Sequence, residues 1–114
     1  MRADLALATA RPATLRRGRV AIFELPDAPW SRRVLGTFAK LLVREQPEDV
    51  VAILVPEWAR GVTLSLRVPP AAGPAADEFV RRFGGGGRRS AAGCIGLSTQ
   101  AVQAFREQLL AVYA

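Results

Sequence analysis

Apolar residues recur along this chain with two different periods, and the two together predict its elements. From Val62 to Val68 (VTLSLRV) the period is two. Val62, Leu64, Leu66 and Val68 fall on one side and Thr63, Ser65 and Arg67 on the other, the pattern of a half-buried strand. Val50 to Val55 (VVAILV) is apolar throughout and rich in β-branched residues, which predicts a strand covered on both faces. Arg19 to Leu25 (RVAIFEL) reads as an earlier strand, closed by Pro26 and a Pro-Asp-Ala-Pro turn signal. Ala91 to Leu97 reads as a strand of small residues.

Elsewhere the period is helical. Val34, Leu35, Phe38, Leu41 and Leu42 mark a helix to about Glu45, with Ser31 as its candidate cap and Pro47 as its stop. Phe79, Val80 and Phe83 stripe a second helix over Ala75 to Phe83. Val102, Phe105, Leu109 and Val112 stripe a third, capped by Ser98 or Thr99. Ala3 to Ala10 forms a short helix stopped by Pro12, and Arg11 to Gly18 reads as a linker. The short connection Glu57 to Gly61 favours an antiparallel hairpin. The expected fold is therefore α/β, with a mixed sheet of about four strands and three helices in the order β-α-β-β-α-β-α. Residues 1–17 form an N-terminal helix and linker, and residues 18–114 a single domain.

Length and composition agree with one folded domain: 114 residues, half of them hydrophobic and spread along the whole chain. One cysteine, Cys94, leaves no disulfide framework within the chain, so a cytoplasmic, reducing compartment is the default expectation. Within the strand read over Ala91 to Leu97, Cys94 reads as a small buried hydrophobe. The absence of histidine removes histidine bases, histidine metal ligands and every Ser-His or Cys-His arrangement. No apolar run approaches the roughly 18 residues of a membrane span, and the N-terminus is a poor signal peptide. Net charge is +6, from 16 basic against 10 acidic side chains, and Lys40 is the only lysine. An arginine-rich composition accounts for this on its own. An anionic partner accounts for it too, since guanidinium is a rigid fork for phosphate.

The location of the arginines sharpens the second account. Four consecutive glycines, Gly84 to Gly87, follow the second helix. One glycine suffices to cap a helix, and four give up conformational entropy at every position. Such a loop suits a backbone that a ligand must approach closely, with N–H groups turned toward an anion. It is neither a P-loop nor a dinucleotide fingerprint, because spacing and context are both wrong. Arg81 and Arg82 precede it, as a solvated helix face or as part of a site, and Arg88 and Arg89 follow it directly. Ser65 and Arg67 share one face of their strand, about 7 Å apart, as a polar solvent face or a hydroxyl–guanidinium phosphate site. Trp30 and Trp58 sit near strand ends and read as edge or interface packing, although an exposed Trp58 would suit base stacking.

The string TLSLRVPPAAGPAADEFVRRFGGGGRRSAAG resembles the C-terminal half of the DHH-associated domain of DHH-type phosphoesterases. That pattern has a strand with Ser-x-Arg, then Phe-Gly-Gly-Gly-Gly-His, then Ala-Ala-Gly. Ser65 and Arg67 match the first element, Phe83 to Gly87 the second, and Ala91 to Gly93 the third. The resemblance covers about Gly18 to Ala114. It departs at Arg88, where the family has histidine, and at Val68, where a small polar residue is common. Arginine keeps a positive donor toward phosphate but cannot titrate near neutral pH.

The resemblance implies a module that holds short single-stranded RNA or DNA, or nucleotide phosphates, for a separate catalytic domain carrying manganese. On that reading Ser65, Arg67, Gly84, Gly85, Gly86, Gly87, Arg88 and Arg89 contact the substrate. No catalytic residue, metal or cofactor is expected on this chain, and no hydrolysis from it alone. The alternative is a protein-interaction or homodimerisation module derived from that domain.

Overall fold

The computed structural model describes residues 2–114. The first helix, α1 (Arg2–Thr9), leads into β1 (Leu15–Arg17) and β2 (Val20–Glu24). Helix α2 (Pro29–Glu45), β3 (Val50–Glu57) and β4 (Gly61–Arg67) follow. A short helix α3 (Ala76–Val80) tightens into a 3-10 turn (Arg81–Phe83), and β5 (Gly86–Gly87), β6 (Ala91–Leu97) and α4 (Thr99–Tyr113) complete the chain.

The six strands lie in the order β1-β2-β3-β4-β6-β5. Strands β2 and β3 run parallel across the α2 crossover, and every other neighbouring pair is antiparallel. The mixed sheet and the β3–β4 hairpin are as the sequence predicts, with six strands in place of about four. The two additional strands are the edges. Leu15–Arg17 lies inside the stretch that reads as linker, and Gly86–Gly87 inside the glycine loop. Neither has enough residues to show a hydrophobic period.

The alternating residues divide two cores between the sheet's faces. Ile22, Ala52, Leu54, Leu64, Leu66 and Cys94 face α3 and α4, where Phe79 meets Phe105 edge-on at 5.5 Å and Tyr113 at 5.4 Å. Ala21, Phe23, Val51, Ile53 and Val55 face α1 and α2, packing on Ala8, Val34 and Phe38. Val50 to Val55 are buried without exception, as a strand covered on both faces must be.

Two helix starts differ in how they are made. Ser98 caps α4, accepting a hydrogen bond from the Ala101 amide at 3.0 Å. Ser31 does not cap α2. The cap position is Ala28, Pro29 opens the helix, and Ser31 is buried within the first turn, where its hydroxyl donates to the Pro26 carbonyl at 2.7 Å. Proline is pre-set for the first helical position, and its missing N–H loses nothing there.

Candidate functional site

The helices do not cover the sheet evenly. The register places Ile53, Ser65, Gly93 and Gly86 in one row across β3, β4, β6 and β5, and Val51, Arg67 and Ala91 in the next. Ile53 and Val51 lie beneath α2. Ser65, Gly93 and Gly86, and Arg67 with Ala91, continue that face with small or polar side chains. A polar half-face thus runs from the flank of α2 to the β5 edge, and the β4 alternation puts both Ser65 and Arg67 on it.

The glycines divide by what surrounds them. Gly84, at φ 80°, is the left-handed cap that ends the 3-10 turn, and its amide donates to the Arg81 carbonyl. A Cβ on Gly85 would lie 2.4 Å from the Cys94 sulfur and from the Gly93 carbonyl oxygen. On Gly87, at φ 147°, it would lie 2.6 Å from the Ala92 Cα. On Gly86 it would meet nothing within 4 Å, and that backbone needs no positive φ. Gly86 alone in the tetrad therefore has no internal reason to be glycine. The amides of Gly85 and Arg88 donate to the Val80 and Ala91 carbonyls at 2.9 and 2.8 Å. With that of Gly84 they are committed within the protein and are not free to hold an anion.

Several arginines away from this face are paired. Arg16, Arg32, Arg33, Arg81 and Arg106 each bridge a carboxylate. Arg82 bonds Gln108 and lies over the Phe79 ring, so Arg81 and Arg82 belong to the helical face. Arg67 differs. It is half-buried, and among the described residues it has no ion-pair partner; its buried Nε has no hydrogen-bond acceptor. Burial first, and the nearby charge of Arg88 second, push its pKa down. Two guanidinium groups thus repel each other at the end of β4. Arg89 borders a neighbouring depression with Gly73 and Ala75, and its carbonyl accepts from the Ala76 amide.

Cys94 is a buried core residue whose thiol is pushed up by burial. Trp30 packs against the α2 core, whereas Trp58 is 90% exposed at the tip of the β3–β4 turn, at the opposite end of β4 from Arg67. Ile95, on β6, is 88% exposed. Among the described residues no three carboxylate or thiol side chains gather as metal ligands.

Solved structures share this architecture. A pGpG-specific phosphodiesterase, PggH, from Vibrio cholerae superposes with a TM-score of 0.66 at 10% identity over 96% of this chain. This chain spans 38% of that protein. The C-Ala domain of Aquifex aeolicus alanyl-tRNA synthetase superposes with a TM-score of 0.61 at 19% identity, covering 83% of this chain and 92% of that one. No curated protein matches the sequence. The DHHA1 domain family model matches residues 17–114, across strands β2 to β6 and the open polar half-face, and the chain belongs to that family.

Proposed function

We propose that this domain binds the phosphates of short single-stranded nucleic acid or of nucleotides, as a substrate-holding module and not as a catalyst. The observation that carries the reading is the unpaired Arg67, desolvated and repelled by Arg88, on a sheet face where Gly86 offers bare backbone. A phosphate between the two guanidiniums would relieve both the repulsion and the desolvation. Ser65, on the same face, adds a hydroxyl donor, and Arg89 adds charge at the rim. The family and the nucleotide-processing neighbour are consistent with the reading. In a larger protein, metal-dependent hydrolysis would belong to another domain.

Titration with short oligonucleotides across a range of salt tests this. If about two phosphates are neutralised, the slope of log affinity against log salt is near ~−1.4. Arg67→Ala weakens binding by roughly 1.5–3 kcal/mol, a charge-assisted hydrogen bond. A salt-independent affinity, or an Arg67→Ala variant that binds like the parent, refutes the site.

One observation favours a second reading, a protein-interaction or homodimerisation module. Trp58 and Ile95 stand almost fully in solvent, as large apolar side chains that another protein surface could cover. Concentration-dependent dimerisation without oligonucleotide binding would select it.

A further inference from the structure

The two ends of the sheet differ in charge. At one end β2 closes on Glu24 and β3 on Glu57, and both carboxylates are bridged, to Arg106 and to Arg32. At the other end β4 closes on Arg67, β5 is followed by Arg88 and Arg89, and the β1–β2 turn carries Arg17 and Arg19. The end of α2 and the loop into β3 add Lys40 and Arg44 against Glu45, Glu48 and Asp49, and Asp49 is bound to Arg16 at 2.9 Å. Eight cations thus meet three carboxylates at this end, which accounts for five of the chain's six net positive charges. Charge gathered on one side of a molecule draws anions to that side.

Arg17 and Arg19 are the far members of this rim and have no part in the site around Arg67. Both are exposed, and among the described residues neither bridges a carboxylate. The backbone fixes where they stand. Arg17 pairs with Val20 across a two-residue turn of Gly18 and Arg19, with Gly18 at φ 57°. The Val50 amide donates to the Arg19 carbonyl at 2.8 Å and ties the turn to the start of β3. From β4 to β1 is three strand steps, about 14 Å at the usual spacing. A strand of several nucleotides covers that distance, and a single nucleotide does not. Asp49, which stands between, already has Arg16 as its counter-charge. We infer that the β1–β2 turn is a second anion site, which takes the later phosphates of a single strand whose first phosphates sit at Arg67 and Arg88. The domain then favours longer strands over dinucleotides. This inference rests on the phosphate-binding reading above and adds the direction in which the strand leaves that site.

The test compares a 5′-phosphorylated thymidine dinucleotide with the corresponding hexanucleotide, both titrated into the full chain at low salt. The hexanucleotide is expected to bind about tenfold tighter, the scale of two exposed charge contacts. Its slope of log affinity against log salt should be steeper than that of the dinucleotide by about 1.4, for two further phosphates. The double variant Arg17→Ala, Arg19→Ala should remove the greater part of the hexanucleotide's gain and leave the dinucleotide's affinity unchanged. Arg60→Glu lowers the net charge by the same two units at the opposite end of β4, and should leave the gain intact. Equal affinities for the two lengths in the parent, or a gain that the double variant leaves undiminished, overturn the second site while the Arg67 site stands. A loss that falls equally on both lengths, or that Arg60→Glu reproduces, is an effect of net charge alone and overturns it as well. Failure of the parent to bind either ligand overturns the Arg67 site and the second site together.

Discussion

At the scale of single residues, the glycine tetrad separates fold from function. Gly85→Ala forces a methyl into Cys94 and the Gly93 carbonyl, and Gly87→Ala forces one into Ala92 at a positive φ. Each is expected to lose about 1–3 kcal/mol, visible as a lower Tm. Gly84→Ala should lose about 1 kcal/mol through its left-handed backbone alone. Gly86→Val should melt within a few degrees of the parent, because its side chain enters open space, and yet bind oligonucleotides markedly less well. If Gly86→Val retains full affinity, no ligand lies against that backbone. Arg88 gives a companion prediction. Arg88→His should keep the fold, bind weakly at pH 8 where imidazole is neutral, and recover toward pH 5.5. A pH-independent affinity for that variant would show that charge at position 88 is irrelevant. Much of this site is legible in the sequence, since alternation alone puts Ser65 and Arg67 on one face. The unequal roles of four identical glycines are not legible, because they depend on what lies across from each one in β6.

At the scale of elements, long periodic segments were readable and short ones were not. Strand β4 alternates over seven residues, and α4 carries both a stripe and a capping serine. Strands β1 and β5 have three residues and two, and only their partners define them. The start of α2 was readable in principle, from Pro29 rather than Ser31. The last turn of α4 offers a measurement. Tyr113, the only tyrosine, donates its hydroxyl to the Pro74 carbonyl at 2.7 Å and so ties α4 to the loop before α3. Burial pushes its pKa up to about 12, with Arg82 opposing and Glu78 assisting. An unfolded tyrosine loses its proton near pH 10, and the folded one keeps it until about 12. The fold therefore holds the extra proton between these values, so stability is full below pH 10 and falls as pH rises toward 12. Ultraviolet titration should give one tyrosinate transition near pH 12. A transition near pH 10 in the folded protein would mean that this end of α4 is not docked.

At the scale of the whole molecule, α1 and α2 cover one half of one sheet face, and the other half is left to solvent and to arginine. Both ends of the strand order are unusual as well. The β1 edge has three residues, two of them exposed arginines, and the β5 edge is two glycines followed by Arg88. A row of unpaired backbone groups invites another chain to add as a strand, and short, charged edges refuse it. Strand addition at the β1 border is therefore opposed by its length and its charge. A homodimer, if formed, has Ile95 and Trp58 as exposed apolar side chains to bury. Ile95→Asp should then abolish the dimer in sedimentation without altering the melting temperature by more than a few degrees. A dimer that survives that change while β1 becomes protected from hydrogen exchange would show that the arginine edge is not the barrier it resembles. With the β1 border short and charged, an extended partner is expected to lie across the sheet instead of joining it there.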